Sequence, residues 1–170
     1  MGTTRMTTLQ TKPNLRRHLN RRQKGFSLIE LLIVIAIILV IAAIAVPNYN
    51  KYQMAGRETA VITELNVIYG AQTLYYSTFG KYAANLGELG PPTGGAEGPQ
   101  GANLLPKTLA EGAHNGYRYT LTGNTAGFSV TALPEVYGSS GRRTFYMDQT
   151  KTIHKNDSAE PANANSPELK

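Results

Sequence analysis

The 170 residues carry 17 Lys plus Arg against 11 Asp plus Glu, a net charge of +6, with 10 tyrosines, no tryptophan and no cysteine. Without cysteine there is neither a disulfide framework nor a thiolate metal site, so a folded exported part must be held by packing alone. Seven of the bases (Arg5, Lys12, Arg16, Arg17, Arg21, Arg22 and Lys24) lie within residues 1–25, which hold no acid, and the remainder of the chain is close to neutral. The high pI therefore belongs to the first segment, and the charge gives no ground for nucleic-acid binding.

Residues 1–25 form a polar, basic leader. Residues 26–46 are apolar except for Ser27 and Glu30. A helix of that length spans roughly 31 Å, close to the hydrocarbon thickness of a bilayer. The uninterrupted part, Leu31 to Val46, is short for a span, and Phe26, Leu28 and Ile29 complete it. Seven bases upstream, against only Lys51 and Arg57 just downstream, orient the N-terminus to the cytoplasm. Pro47 closes the span, either as a helix-end residue at the membrane exit or as a bend in a longer helix.

Beyond it, Tyr49, Tyr52, Ile62, Leu65, Tyr69 and Tyr76 form an apolar stripe at helical spacing, filled by Ala55 and Thr59 and widened by Val61, Ile68 and Tyr75. Arg57, Glu58 and Glu64 fall mostly off it. The pattern predicts one helix from about Phe26 to Thr78, bent or not at Pro47 and stopped by Gly80. Its two halves are a transmembrane half over 26–47 and an amphipathic half over 48–80.

Residues 81–155 are expected to hold a variable loop and an antiparallel sheet. The stretch "GELGPPTGGAEGPQG" reads as loop, and "LLPKTLAEG" as a short helical turn. "YRYTLTG", "GFSVTAL" and "RRTFYMDQTKTI" read as strands, the first two joined by a hairpin loop at Gly123-Asn124 to Gly127. Such a sheet is too small to stand alone and needs the amphipathic helix face to pack on, so the expected class is α+β. Residues 156–170, without apolar periodicity, are expected to be a disordered tail.

The chemistry-bearing residues are few. Glu30 is the one charge in the apolar run, where a carboxylate at bilayer depth costs roughly 2.5–3.5 kcal/mol. It either stays wet near the headgroups or meets a cation. Ser27 has no base close in sequence. His114 and His154 are isolated, no phosphate-binding glycine loop is present, and Glu135, Asp148 and Asp157 are not spaced as a calcium loop. No cofactor, metal or catalytic activity is expected. The tyrosines read as packing, with Tyr49 and Tyr52 at the membrane interface.

The segment "KGFSLIELLIVIAIILVIAAIAVPNY" resembles the prepilin cleavage and methylation signature of type IV pilins and type II secretion pseudopilins. The resemblance implies a cut after Gly25 by a prepilin peptidase that is also an N-methyltransferase, methylation of Phe26, and an assembly role for Glu30, fifth from Phe26. Pro47 stands at the family's proline position. It further implies a pilin-like α+β fold and polymerisation with other copies through the N-terminal helix, with Glu30 of one subunit meeting the Phe26 amine of another. The implied surroundings are membrane lipid and an inner-membrane assembly machinery. The product would be a cell-surface pilus for adhesion, motility or DNA uptake, or a periplasmic pseudopilus for secretion. The C-terminal disulfide of many type IV pilins cannot form here. Two other readings stand beside it. One is an ordinary signal peptide cut before Val46, after Ala43-Ile44-Ala45, with Arg21-Arg22 as a weak twin-arginine signal. The other is a single-span membrane-anchored enzyme or binding module, the enzyme disfavoured by the lack of a catalytic constellation.

Overall fold

The computed structural model describes Gly2 and residues 25–169, so the leader expected over residues 1–25 lies outside the described residues save for Gly2 and Gly25. The chain divides into two compact units, residues 1–40 and 41–170.

Helix α1 runs from Leu28 to Phe79, within two residues of the expected span at either end. In its apolar part the large side chains from Phe26 to Val46 are 44–85% exposed. This surface suits hydrocarbon and not water, since lipid-exposed helices are apolar on every side. The helix continues through position 47, and just beyond it the Asn48 side-chain amide donates to the Ile44 carbonyl at 3.2 Å. At the far end Gly80 takes a φ of 70°, a left-handed conformation that glycine adopts freely, and its N–H bonds the Tyr76 carbonyl at 2.9 Å.

Within residues 41–170, α1 buries Met54, Glu58, Val61, Leu65, Ile68, Gln72 and Tyr75. Their steps of four and three residues draw one seam along a helix. The expected stripe is thus rotated. Leu65 and the widening positions Val61, Ile68 and Tyr75 carry the core, whereas Tyr49, Tyr52 and Tyr76 are exposed. Tyrosine tolerates water through its hydroxyl, so an aromatic period alone does not choose the buried face. The seam also admits polar groups that bond neighbouring elements. Gln72 both donates to the Ala83 carbonyl at 3.0 Å and accepts from the Ala83 N–H at 2.9 Å, which fixes the chain after α1.

Two single-turn helices follow, α2 (Leu86–Leu89) and α3 (Lys107–Ala110). The first overlaps the start of the stretch read as loop, beginning one residue before it at Leu86. Asn85 caps it by accepting the Glu88 N–H at 3.1 Å, and Leu86 and Leu89 sink into the core.

The sheet has five strands, β1 (Ala113–His114), β2 (Tyr117–Gly123), β3 (Phe128–Pro134), β4 (Thr144–Asp148) and β5 (Ile153–Asn156), each antiparallel to the next in chain order. Alternate residues Tyr117, Tyr119 and Leu121, then Phe128, Val130 and Ala132, then Phe145 and Met147 face the α1 seam. The β2–β3 hairpin closes where expected, with Asn124 and Gly127 bonded across the loop. The run "RRTFYMDQTKTI", expected as one strand, is two. Asp148 accepts from the Thr150 N–H at 2.9 Å and hydroxyl at 2.7 Å, and Lys151 turns at a φ of 65°. This is an Asx turn. The extra strand β1 pairs back onto β2 through Asn115 and Gly116, both at positive φ.

Residues 156–170 were expected to be disordered, and over 157–169 the structure differs. They contain no helix or strand, yet they fold back along the free margin of β5. The Leu169 N–H bonds the Ile153 carbonyl at 2.8 Å and the Lys155 N–H bonds the Pro167 carbonyl at 2.9 Å. Ala162 is 2% exposed, and its N–H donates to the Thr144 hydroxyl, which donates to the Glu160 carbonyl. An edge strand presents unpaired backbone groups that a polar segment satisfies without any apolar pattern, so hydropathy gives no sign of it.

Gly141, in the β3–β4 connection, lies against the Tyr117 ring, and a methyl group built on its Cα would overlap the Tyr117 hydroxyl. That hydroxyl donates to the Arg143 carbonyl at 3.0 Å. Gly141→Ala is expected to destabilise the fold by about 1–3 kcal/mol, the range for overpacking, seen as a lower urea midpoint of the detergent-solubilised chain.

Candidate functional site

The residues singled out at the N-terminus occupy the entry of α1. Gly25, Phe26 and Ser27 precede the helix and are exposed, Phe26 at 85%, and nothing lies within 4 Å of a Cβ built on Gly25. The Gly25–Phe26 peptide is therefore an open, non-helical bond. Ser27 stands at the cap position, and its carbonyl accepts the Leu31 N–H at 3.2 Å. Glu30 is in the first turn, and its carboxylate accepts the Ser27 N–H at 2.8 Å. This is the carboxylate half of a capping box, favoured further by the positive end of the helix dipole. The structure brings Glu30 to within one residue of the Phe26 nitrogen. Position 47 lies nineteen residues from Leu28 along α1, apart from this group.

In residues 41–170 two acids expected off the apolar stripe are tied to the sheet. Glu58, with a side chain 7% exposed, takes Arg143 through Nε at 2.7 Å and a terminal nitrogen at 2.6 Å, and the Arg142 N–H at 2.8 Å. Glu64 accepts from His114 Nδ1 at 2.6 Å, from the Asn115 amide at 2.6 Å and from the Tyr119 hydroxyl. His114 is thus not isolated, and His154 Nδ1 bonds the Ser166 carbonyl at 2.7 Å. Their placement off the stripe rested on charge alone. A buried carboxylate needs donors, and these donors are fifty or more residues away in sequence. The Asn115-Gly116 pair, a strong two-residue hairpin signal, was the sign that β1 would bring His114 here.

Burial pushes the Tyr119 phenol up strongly, helped by Glu64, and pushes Tyr117 up with help from Glu58. Burial, then the hydrogen bond to Glu88, raises Tyr75 to about 12. A phenol whose folded value exceeds its unfolded one favours the neutral form. Its stabilisation is fully present below the unfolded value near 10 and is lost as pH climbs towards 12. The unfolding midpoint is expected to fall steadily over that window, in step with late phenolate absorbance, and Tyr75→Phe should flatten part of the fall.

Glu135, Asp148 and Asp157 do not converge. Glu135 is 4.0 Å from Arg118, Asp148 holds its own turn, and Asp157 is 3.6 Å from Lys155. Among the described residues no group of three His, Cys, Asp or Glu side chains could hold a metal ion.

Comparison with known proteins gives one matching family model, the prokaryotic N-terminal methylation motif, over residues 20–46, which include Gly25, Phe26 and Glu30. The chain is 42% identical over 71 residues to the type IV major pilin protein PilA of Myxococcus xanthus, covering 42% of this chain and 32% of that one. It is 40% identical over 78 residues to the type IV major pilin protein PilE1 of Neisseria gonorrhoeae, covering 44% and 47%. It is 41% identical over 69 residues to the type IV wide pilus major component PilA4 of Thermus thermophilus, covering 41% and 53%. The matches span between a third and about half of the length of these relatives. The methylation motif, the partial match to these relatives and the α+β arrangement of a long apolar helix and antiparallel sheet make this chain similar to the type IV pilins.

Proposed function

We propose that the chain is the structural subunit of a type IV pilus, inserted with its leader in the cytoplasm of a bacterial inner membrane. It is cut after Gly25, N-methylated at the new Phe26 amine and polymerised through residues 26–47. The observation that carries this reading is the Glu30 carboxylate at the entry of α1, 2.8 Å from the Ser27 N–H. Removal of the leader creates a cation one residue further back. In a layer from which water is excluded, an ammonium and a carboxylate attract far more strongly than at a surface. The Glu30 of one subunit and the Phe26 amine of the next then set their axial register, while exposed apolar helices exchange lipid for one another.

N-terminal sequencing of membrane or filament protein tests the cut. The expected start is Phe26 with the added mass of one methyl group, and a start at Val46 would select the ordinary signal peptide instead. Because space around Gly25 is open in the free chain, its constraint belongs to the peptidase. Gly25→Ala is expected to be processed and Gly25→Leu to retain its leader, read by the mobility of the membrane-bound chain.

A further inference from the structure

Beside the Glu58–Arg143 pair lies a hollow of about 500 Å³, lined by Lys51, Met54, Glu58, Tyr137, Arg142 and Arg143 among others. Its acids are already matched. Glu58 is held by Arg143 and the Arg142 N–H, and Asp157 stands 3.6 Å from Lys155. Among the described residues the Lys51 ammonium and the Arg142 guanidinium have no ion pair, and both residues are exposed. Two unmatched cations therefore share one concave surface.

The hollow has a definite level along α1. Lys51 follows Val46, the last residue of the apolar run, by five positions. That is about 7.5 Å of helix rise, comparable to the headgroup layer outside the hydrocarbon. Tyr137, which lines the hollow, is exposed, and on the same stretch of α1 as Lys51 the exposed Tyr49 at 61% and Tyr52 at 77% are residues that water does not favour. Tyrosines beside lysine or arginine at this depth mark a membrane interface.

We infer that this hollow is a binding site for the phosphate of an anionic phospholipid in the outer leaflet, gripped by Lys51 and Arg142 with the Tyr137 side chain against the glycerol region. The inference rests on the reading that residues 26–46 span the bilayer. It gives the unpolymerised subunit a second hold on the membrane, one that sets the depth and rotation of residues 41–170 against the lipid surface.

The full chain is placed in nanodiscs of equal parts phosphatidylglycerol and phosphatidylcholine, and native mass spectrometry counts the lipids it retains. Each cation beside an anionic headgroup gives roughly a fivefold preference, so retention of phosphatidylglycerol is expected to exceed phosphatidylcholine on the order of twentyfold. The double variant K51Q/R142Q should fall to near parity. K107Q, which removes a cation elsewhere, should leave the preference unchanged. Among the described residues neither the Lys51 nor the Arg142 side chain makes a hydrogen bond or ion pair, so an unchanged melting curve is expected for the double variant. Equal retention of the two lipids, or a preference that survives K51Q/R142Q, overturns the inference. Displacement of the lipid by inorganic phosphate at matched ionic strength also overturns it, in favour of a soluble anion. Lost filaments with an intact lipid preference overturn it as well, assigning the hollow to a neighbouring subunit. Failure of the chain to enter the bilayer overturns the spanning reading too, whereas entry without preference overturns this inference alone.

Discussion

A Glu30→Val chain is expected to insert and lose its leader normally, yet to yield few or no filaments. Valine removes the insertion cost of the carboxylate, so the free subunit is if anything more at home in the bilayer. On the proposed assembly, what it loses is a partner for the Phe26 ammonium when copies come together. Leaving one member of a desolvated charge pair alone costs about 3–5 kcal/mol, on the order of a hundred- to several thousandfold in the constant for adding each subunit. Glu30 has a second attachment, its hydrogen bond to the Ser27 N–H, which stabilises its own helix. Glu30→Gln separates the two, because glutamine also serves at this capping position but carries no charge. If the carboxylate acts between subunits, the glutamine chain fails as the valine chain does, by electron microscopy of sheared filaments. Filaments restored by glutamine would reduce Glu30 to a cap, and normal yield from valine would remove both roles.

The second large effect is expected at Glu58. Its carboxylate accepts from both Arg143 nitrogens that reach it and from the Arg142 N–H, joining α1 to the start of β4. Glu58→Ala strands a guanidinium and an amide in a half-buried place. The expected loss is about 3 kcal/mol, the low end for breaking a buried pair because Arg143 is still 30% exposed. Against a total stability of about 5–15 kcal/mol that is a large share. Replacing both partners, Glu58→Leu with Arg143→Met, should recover most of the loss, since apolar groups of similar volume leave no charge uncompensated. Urea midpoints of the two chains decide the matter: a single variant as stable as wild type would show that the pair contributes little.

The parts of this molecule that sequence made legible are those whose cause is local. The extent of α1 follows from an unbroken apolar run and a terminal Gly80, and the β2–β3 hairpin from alternation around a Gly-Asn loop. The positions of Gly25, Phe26 and Glu30 are readable for the same reason, since all three sit within six consecutive residues and need no tertiary contact to come together. What sequence left obscure depends on distant partners. Glu58 and Glu64 look like solvent-facing charges until Arg143, His114 and Tyr119 arrive from 50 to 85 positions away. Tyr49, Tyr52 and Tyr76 kept the helical period of a core without being in it. The strands β1 and β5 are too short for alternation to be recognised, although Asn115-Gly116 announced the first of them.

The returning segment from Asp157 to Leu169 has an outcome for how molecules of this kind meet. With Pro167 and Leu169 bonded along β5, and β1 reduced to two residues at the opposite side, neither margin of the sheet offers a long ladder for a neighbour to extend. Subunits cannot zip together by continuing one another's strands, the route that turns crowded β-rich proteins into amyloid-like aggregates. On the assembly proposed above, a fibre of such subunits would join through helices, loops and side-chain faces, without a continuous cross-strand spine.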